Sequence, residues 1–116
     1  MQPRDRQRIL HILNYCRDID AALERFGKDY GVFASDKDYH DVVAFRILQI
    51  GELAGNLSDE LRRETSKEMD WRQIKAMRNI VAHHYGKIEL EIVWDVAVND
   101  IPMLIGFCEK QLCSAE

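Results

Sequence analysis

Helix breakers are scarce in this chain: two prolines and six glycines among 116 residues leave most of its length free for regular structure. Disorder is therefore not expected beyond the ends. Cysteines are few and odd in number. Cys16, Cys108 and Cys113 are widely spaced within apolar helical patterns, which suits reduced packing thiols and argues against a disulfide framework or a zinc site. No run approaches the roughly 18 uncharged apolar residues that a membrane span needs. Met1-Gln2-Pro3-Arg4-Asp5-Arg6 leads into no apolar signal core, so the expectation is a cytoplasmic protein with no membrane association. Positive charge is not in excess either. A formal net charge of -4 excludes a surface that acts throughout as a glove for nucleic acid. The length allows one continuous core and not two, so residues 1–116 are expected to form one domain with one site.

What the chain does have is helical periodicity. From Arg4 to Phe26, the residues Ile9, Ile12, Leu13, Cys16, Ile19, Leu23 and Phe26 recur at spacings of three and four, and Gly27 is placed to end that helix. A polar connection is expected from Lys28 to Asp41. A second helix follows with Val42, Val43, Phe45, Ile47, Leu48, Ile50, Leu53 and Leu57, an apolar face so broad that it is either central to a bundle or shared with another subunit. Ser58 can cap a short helix from Asp59 to about Ser66. Asp70 can cap another from Trp71 to about His83, with Gly86 as its exit. The last helix carries Ile92, Val93, Val96, Ala97, Ile101, Leu104, Phe107, Cys108 and Leu112, and Pro102 should kink or divide it. No strand pattern of period two survives. The expected fold is all-α, an up-and-down four-helix bundle with an extra short helix.

Charge is distributed unevenly. Between residues 62 and 87, seven basic side chains (Arg62, Arg63, Lys67, Arg72, Lys75, Arg78, Lys87) face three acidic ones (Glu64, Glu68, Asp70). Within that segment lies Arg78-Asn79-Ile80-Val81-Ala82-His83-His84-Tyr85. Arginine, histidine and tyrosine near a helix C-terminus suit phosphate chemistry, because the helix dipole there favours imidazolium and a guanidinium fork matches a phosphate. Five residues separate Arg78 from His83, which puts them about 140° apart and about 7.5 Å along a straight helix. They do not share a face. Either the helix loosens near Gly86, or a second copy completes the site.

The pattern Arg78-x-x-x-x-His83-x-Tyr85, with polar Asn79 after the arginine, resembles the signature of HEPN ribonucleases and more closely that of the HepT toxins. Trp71-Arg72-Gln73-Ile74, Gln49-Ile50-Gly51-Glu52, Val93-Trp94 and Asp100-Ile101-Pro102 are similar to HepT as well, so the likeness covers nearly the whole chain. The resemblance implies a homodimeric HEPN bundle, metal-independent endoribonuclease activity on RNA with no cofactor, and an MntA-like nucleotidyltransferase antitoxin that adenylylates Tyr85. In that setting His83 is the general acid or base and Arg78 stabilises the scissile phosphate.

Each residue also has a plainer role open to it. His83 can cap its helix, Arg78 can form a salt bridge with Glu52 while still binding phosphate, and Asn79 can be a surface residue or can orient the phosphate. His84, about 100° round the helix from His83, is accessory at most. Trp71 and Trp94 read as core, and Arg4, Arg6 and Arg8 as a solvated helix start or as contacts to RNA phosphates. Three functions compete: a ribonuclease toxin, a non-catalytic HEPN accessory or nucleotide-binding subunit of a nucleotidyltransferase, and a helical adaptor. Only the first gives the Arg78–His83 pair a reason to exist.

Overall fold

A computed structural model describes residues 1–84 and 89–114, and of residues 83, 84 and 114 the backbone alone. The described residues form α1 (Pro3–Phe26), α2 (Tyr30–Ser35), α3 (Lys37–Gly55), α4 (Asp59–Glu64), α5 (Trp71–His84), α6 (Leu90–Asp95) and α7 (Ile101–Ser114), with a π-helical turn, Val96–Asp100, joining the last two. The expected all-α architecture is what the chain adopts, with no strand among the described residues. No described helix is long and apolar enough to cross a membrane. α1 and α3 form the central pair, α5 packs on α3, and α7 packs on α1.

α1 buries Ile9, Ile12, Leu13, Cys16, Ile19 and Leu23, the stripe that its spacing predicts. Gly27 ends it with φ 105°, a conformation that side-chain-bearing residues rarely adopt, and returns its N–H to the Leu23 carbonyl. The predicted caps are in place. Ser58 Oγ accepts from the Leu61 N–H, and Asp70 Oδ1 accepts from the N–H groups of Arg72 and Gln73. Burial drives the thiol of Cys16 far above its ordinary range and that of Cys108 up to about 12, as packing residues require.

The connection expected from Lys28 to Asp41 is mostly helical. Asp29 caps α2 through Val32, and Asp36 starts α3 five residues before its apolar pattern becomes dense. Six residues are too few to display a period, so α2 is set by tertiary packing: Phe33 is fully buried with Tyr39, edge-on at 5.1 Å, and beside Trp94 at 5.0 Å. Trp94, partly buried, packs against the core. Pro102 follows the π turn, in which the Ile101 N–H reaches back five residues to the Val96 carbonyl. A wider turn there accommodates a ring that cannot donate and would crowd the preceding α-helical turn.

α1 runs antiparallel to α3, and polar ties mark the pairing. Arg46 meets Asp18, Arg8 Nη1 donates to the Asn56 carbonyl at 2.6 Å, and Asp5 meets Ser58. Asp5 is only 2 % exposed, and its carboxylate accepts from both the Ser58 N–H (2.9 Å) and the Ser58 hydroxyl (2.6 Å). Arg6 Nη1 donates to the Leu112 carbonyl. Of the N-terminal arginines, Arg6 and Arg8 therefore satisfy backbone carbonyls elsewhere in the bundle. The breadth of α3's apolar face has an internal explanation, since α1, α2, α5 and α6 all lie against it.

The approach of α5 to α3 depends on Gly51. A Cβ at that position would lie 2.3 Å from the Arg78 Cβ and 2.6 Å from its Cγ, far inside van der Waals contact. The clash is with the base of a side chain, so only a shift of α5 itself could relieve it. Gly51→Ala should therefore lower stability by about 1–3 kcal/mol through overpacking, despite the intrinsic helix preference of alanine, which is about 1 kcal/mol in the other direction. Gly55 has nothing within 4 Å of a Cβ, so Gly55→Ala should hold or raise stability. Urea midpoints of the two variants, compared with the parent, check this contrast.

Candidate functional site

The close crossing at Gly51 delivers Arg78 to the next residue of α3. Arg78 Nε donates to Glu52 Oε1 at 2.7 Å, and Nη2 makes an ion pair with the same oxygen. Nη1 donates to Asn79 Oδ1 at 3.1 Å. The guanidinium is thereby fixed on two sides. Of its five N–H groups, one on each terminal nitrogen has no partner among the described residues. The side chain is about one-third exposed, so those donors are within reach of a ligand in solvent. The salt bridge with Glu52 and the capacity to bind an anion coexist, because the two use different N–H groups.

Asn79 is half-buried and points its carbonyl oxygen at Arg78. This contact between neighbours orients the guanidinium, a role that the residue pattern did not single out. Glu52 is the other orienting group, and it is held in turn by its place beside Gly51 on a helix clamped between neighbours. The geometry brings together Glu52, Arg78 and Asn79.

His83 and His84 form the last turn of α5. Their side chains, and the whole of Tyr85 and the Gly86 exit, lie outside the described residues. The backbone is helical from Trp71 through His84, so α5 does not loosen between Arg78 and His83. The two positions accordingly keep a separation of about 140° around the axis and about 7.5 Å along it.

Chemically, a guanidinium fixed in place with free N–H groups is a preorganised anion binder. Its charge is partly balanced by Glu52, which keeps it oriented without filling its outward face. Sequence spacing could find Arg78 and propose Glu52. It could not find the function of Gly51, because the absence of a side chain has meaning only once the opposing helix is in view.

Comparison with known proteins agrees with this architecture. The family described as Ribonuclease HepT-like matches residues 12–111. A protein of Thermococcus cleftensis named "Probable ribonuclease HepT" is 29% identical over 102 residues, covering 84% of this chain and 92% of the relative. One from Caldanaerobacter subterraneus named "Putative RNase TTE0752" is 31% identical over 103 residues, covering 88% of this chain and 85% of the relative. No solved structure matches the chain. With a family match over residues 12–111 and an all-α bundle to carry it, this chain belongs to the HepT-like ribonuclease family of the HEPN superfamily.

Proposed function

We propose that the chain is a metal-independent endoribonuclease, the toxin of a toxin–antitoxin pair, with Arg78 and His83 as its catalytic residues. The observation that carries the reading is the Arg78 guanidinium, held by Glu52 and Asn79 and about one-third exposed, on the helix that also carries His83. In the reaction, His83 takes the proton from a ribose 2′-hydroxyl as that oxygen attacks the adjacent phosphorus. The bond to the 5′ oxygen breaks, and the departing oxygen is protonated by an imidazolium or by water, leaving a cyclic phosphate. Arg78 binds the non-bridging oxygens where negative charge builds up. Glu52 and Asn79 hold Arg78 ready, and His84 is accessory.

Arg78→Ala and His83→Ala should each lower RNA cleavage by about 10²–10⁴-fold while leaving the helical circular dichroism signal and melting temperature nearly unchanged. Cleavage by the parent should continue in EDTA. Activity that survives either alanine substitution, or that stops in chelator, overturns the assignment.

Because α5 is helical from Arg78 to position 83, the two backbone positions lie about 140° apart round the axis, and a cleft between two copies can unite them. Phe45 on α3, 54 % exposed, adds apolar surface for such a pairing. Sedimentation at micromolar concentration should give twice the chain mass of 13.6 kDa, and a monomer mass rules the composite cleft out.

Control is assigned to Tyr85, two residues past His83 in the Arg-x-x-x-x-His-x-Tyr spacing. An MntA-like nucleotidyltransferase partner would activate its hydroxyl to attack the α-phosphate of ATP, forming the tyrosyl–AMP bond and releasing pyrophosphate. The added phosphodiester would compete with RNA for Arg78. With partner and ATP, intact-mass spectrometry should show AMP on the parent and none on Tyr85→Phe. A Tyr85→Phe protein that still gains AMP, or a parent that gains none, removes Tyr85 from the mechanism.

A further inference from the structure

An open groove of about 880 Å³ lies between α4 and the start of α5, away from Arg78. Its charged lining sorts into spent and unspent groups. Asp59 is taken up by Arg62, whose Nη2 donates to it at 2.6 Å. Asp70 is taken up by the first N–H groups of α5. Arg63 and Arg72, both exposed on the lining, form no ion pair among the described residues. Trp71 is a fixed wall between them and not a free stacking surface: its Nε1 donates to Thr65 Oγ1 at 3.0 Å, and its ring meets Phe107 edge-on at 5.5 Å. In a chain of net charge -4, two exposed guanidiniums on one groove with no ion-pair partner among the described residues mark a place for an anion.

The groove is also in register with the motif. Arg72 and position 83 are eleven residues apart on one unbroken helix, which places them within about 20° of the same face and about 16.5 Å apart along the axis. Exposed Lys75, also without an ion pair among the described residues, lies between Arg72 and Arg78. Arg72, Lys75 and Arg78 step about 60° each round α5, so the cationic side chains wind about a third of a turn from the groove to Arg78, a spread that suits a linear polyanion wrapping the helix and not a single small anion.

We propose that this groove is a second RNA-binding site, in which Arg63 and Arg72 hold backbone phosphates of the substrate strand several nucleotides from the scissile bond. The inference rests on the ribonuclease reading and adds to it a reason for preferring long substrates. Arg63 and Arg72 are positioning residues, since they act on the strand and not on the reacting atoms.

The test compares a labelled single-stranded RNA of about twenty nucleotides with a trinucleotide too short to reach both places, using the full-length parent and the Arg63→Gln/Arg72→Gln double variant. For the long RNA, binding by anisotropy should weaken by roughly tenfold, and the slope of log affinity against log salt should fall by about 1.4, the value for two single-strand phosphate contacts. KM for the long RNA should rise in step while kcat holds, trinucleotide cleavage should be unchanged, and Arg63→Lys/Arg72→Lys should recover most of the salt slope. An unchanged affinity and salt slope for the long RNA overturns the groove site while leaving the ribonuclease reading intact. Equal losses on long and short RNA also overturn it, because they place the arginines in the reaction or the fold. If the parent cleaves neither RNA yet loses its binding of the long one through these two arginines, the groove stands and the ribonuclease reading falls.

Discussion

Two helices can come no closer than their side chains permit, and in this chain the site depends on an exception to that limit. At Gly51, α3 offers bare backbone to the base of Arg78, and the 2.3 Å that a Cβ would leave measures how completely the approach relies on glycine. The neighbouring Glu52 is then at hydrogen-bond distance from the guanidinium, with Nε to Oε1 at 2.7 Å. A wider crossing would leave Arg78 a long, mobile side chain on a surface helix. The narrow one turns it into a fitting of fixed direction, because an arginine held through its Nε edge loses most of its rotational choices before any ligand arrives.

The same crossing explains why α3 is so apolar. Its burial is shared among α1, α2, α5 and α6, so its broad hydrophobic face is spent largely within the chain and not on a partner. α5 contributes to both chemical regions of interest and carries Arg72, Lys75 and Arg78 with no acidic residue. At its start, the capping carboxylate of Asp70 accepts from backbone groups and forms no ion pair with Arg72. In its middle, Arg78 is balanced by Glu52 but still open outward. Acidic residues near basic ones therefore have different electrical meanings along one helix, according to what else each carboxylate is bonded to.

Much of the fold could be read directly from residue order. The α1 stripe, the caps at Ser58 and Asp70, the Gly27 terminator and the disturbance before Pro102 are all local effects, in which a residue acts on chain within a turn or two of itself. α2 could not be read in this way, because six residues around Phe33 become helical through burial against Tyr39 of the next helix and against Trp94, which is far away in sequence. At the candidate site, the bond of Arg78 to Glu52 was foreseeable from reach. The roles of Gly51 and of Asn79 were not, and neither was the difference between Arg62, which is paired, and Arg63, which is not. Those depend on which groups meet in space, and charge counts along a segment treat all such groups alike.

The two ends of α3 are secured by opposite chemistries. At its start, Tyr39 stacks on Phe26 at 4.8 Å and donates its hydroxyl to the Gly27 carbonyl. Past its end, the buried Asp5 carboxylate holds Ser58, and Arg8 holds the Asn56 carbonyl. One anchorage is chiefly aromatic stacking and the other chiefly hydrogen bonds made by charged groups, so cooling, which weakens apolar burial, bears on the first more than on the second. α3 therefore behaves as a shaft fixed in two unlike bearings. A pull on the Arg78 guanidinium is carried through Glu52 to a helix tied down near both of its ends.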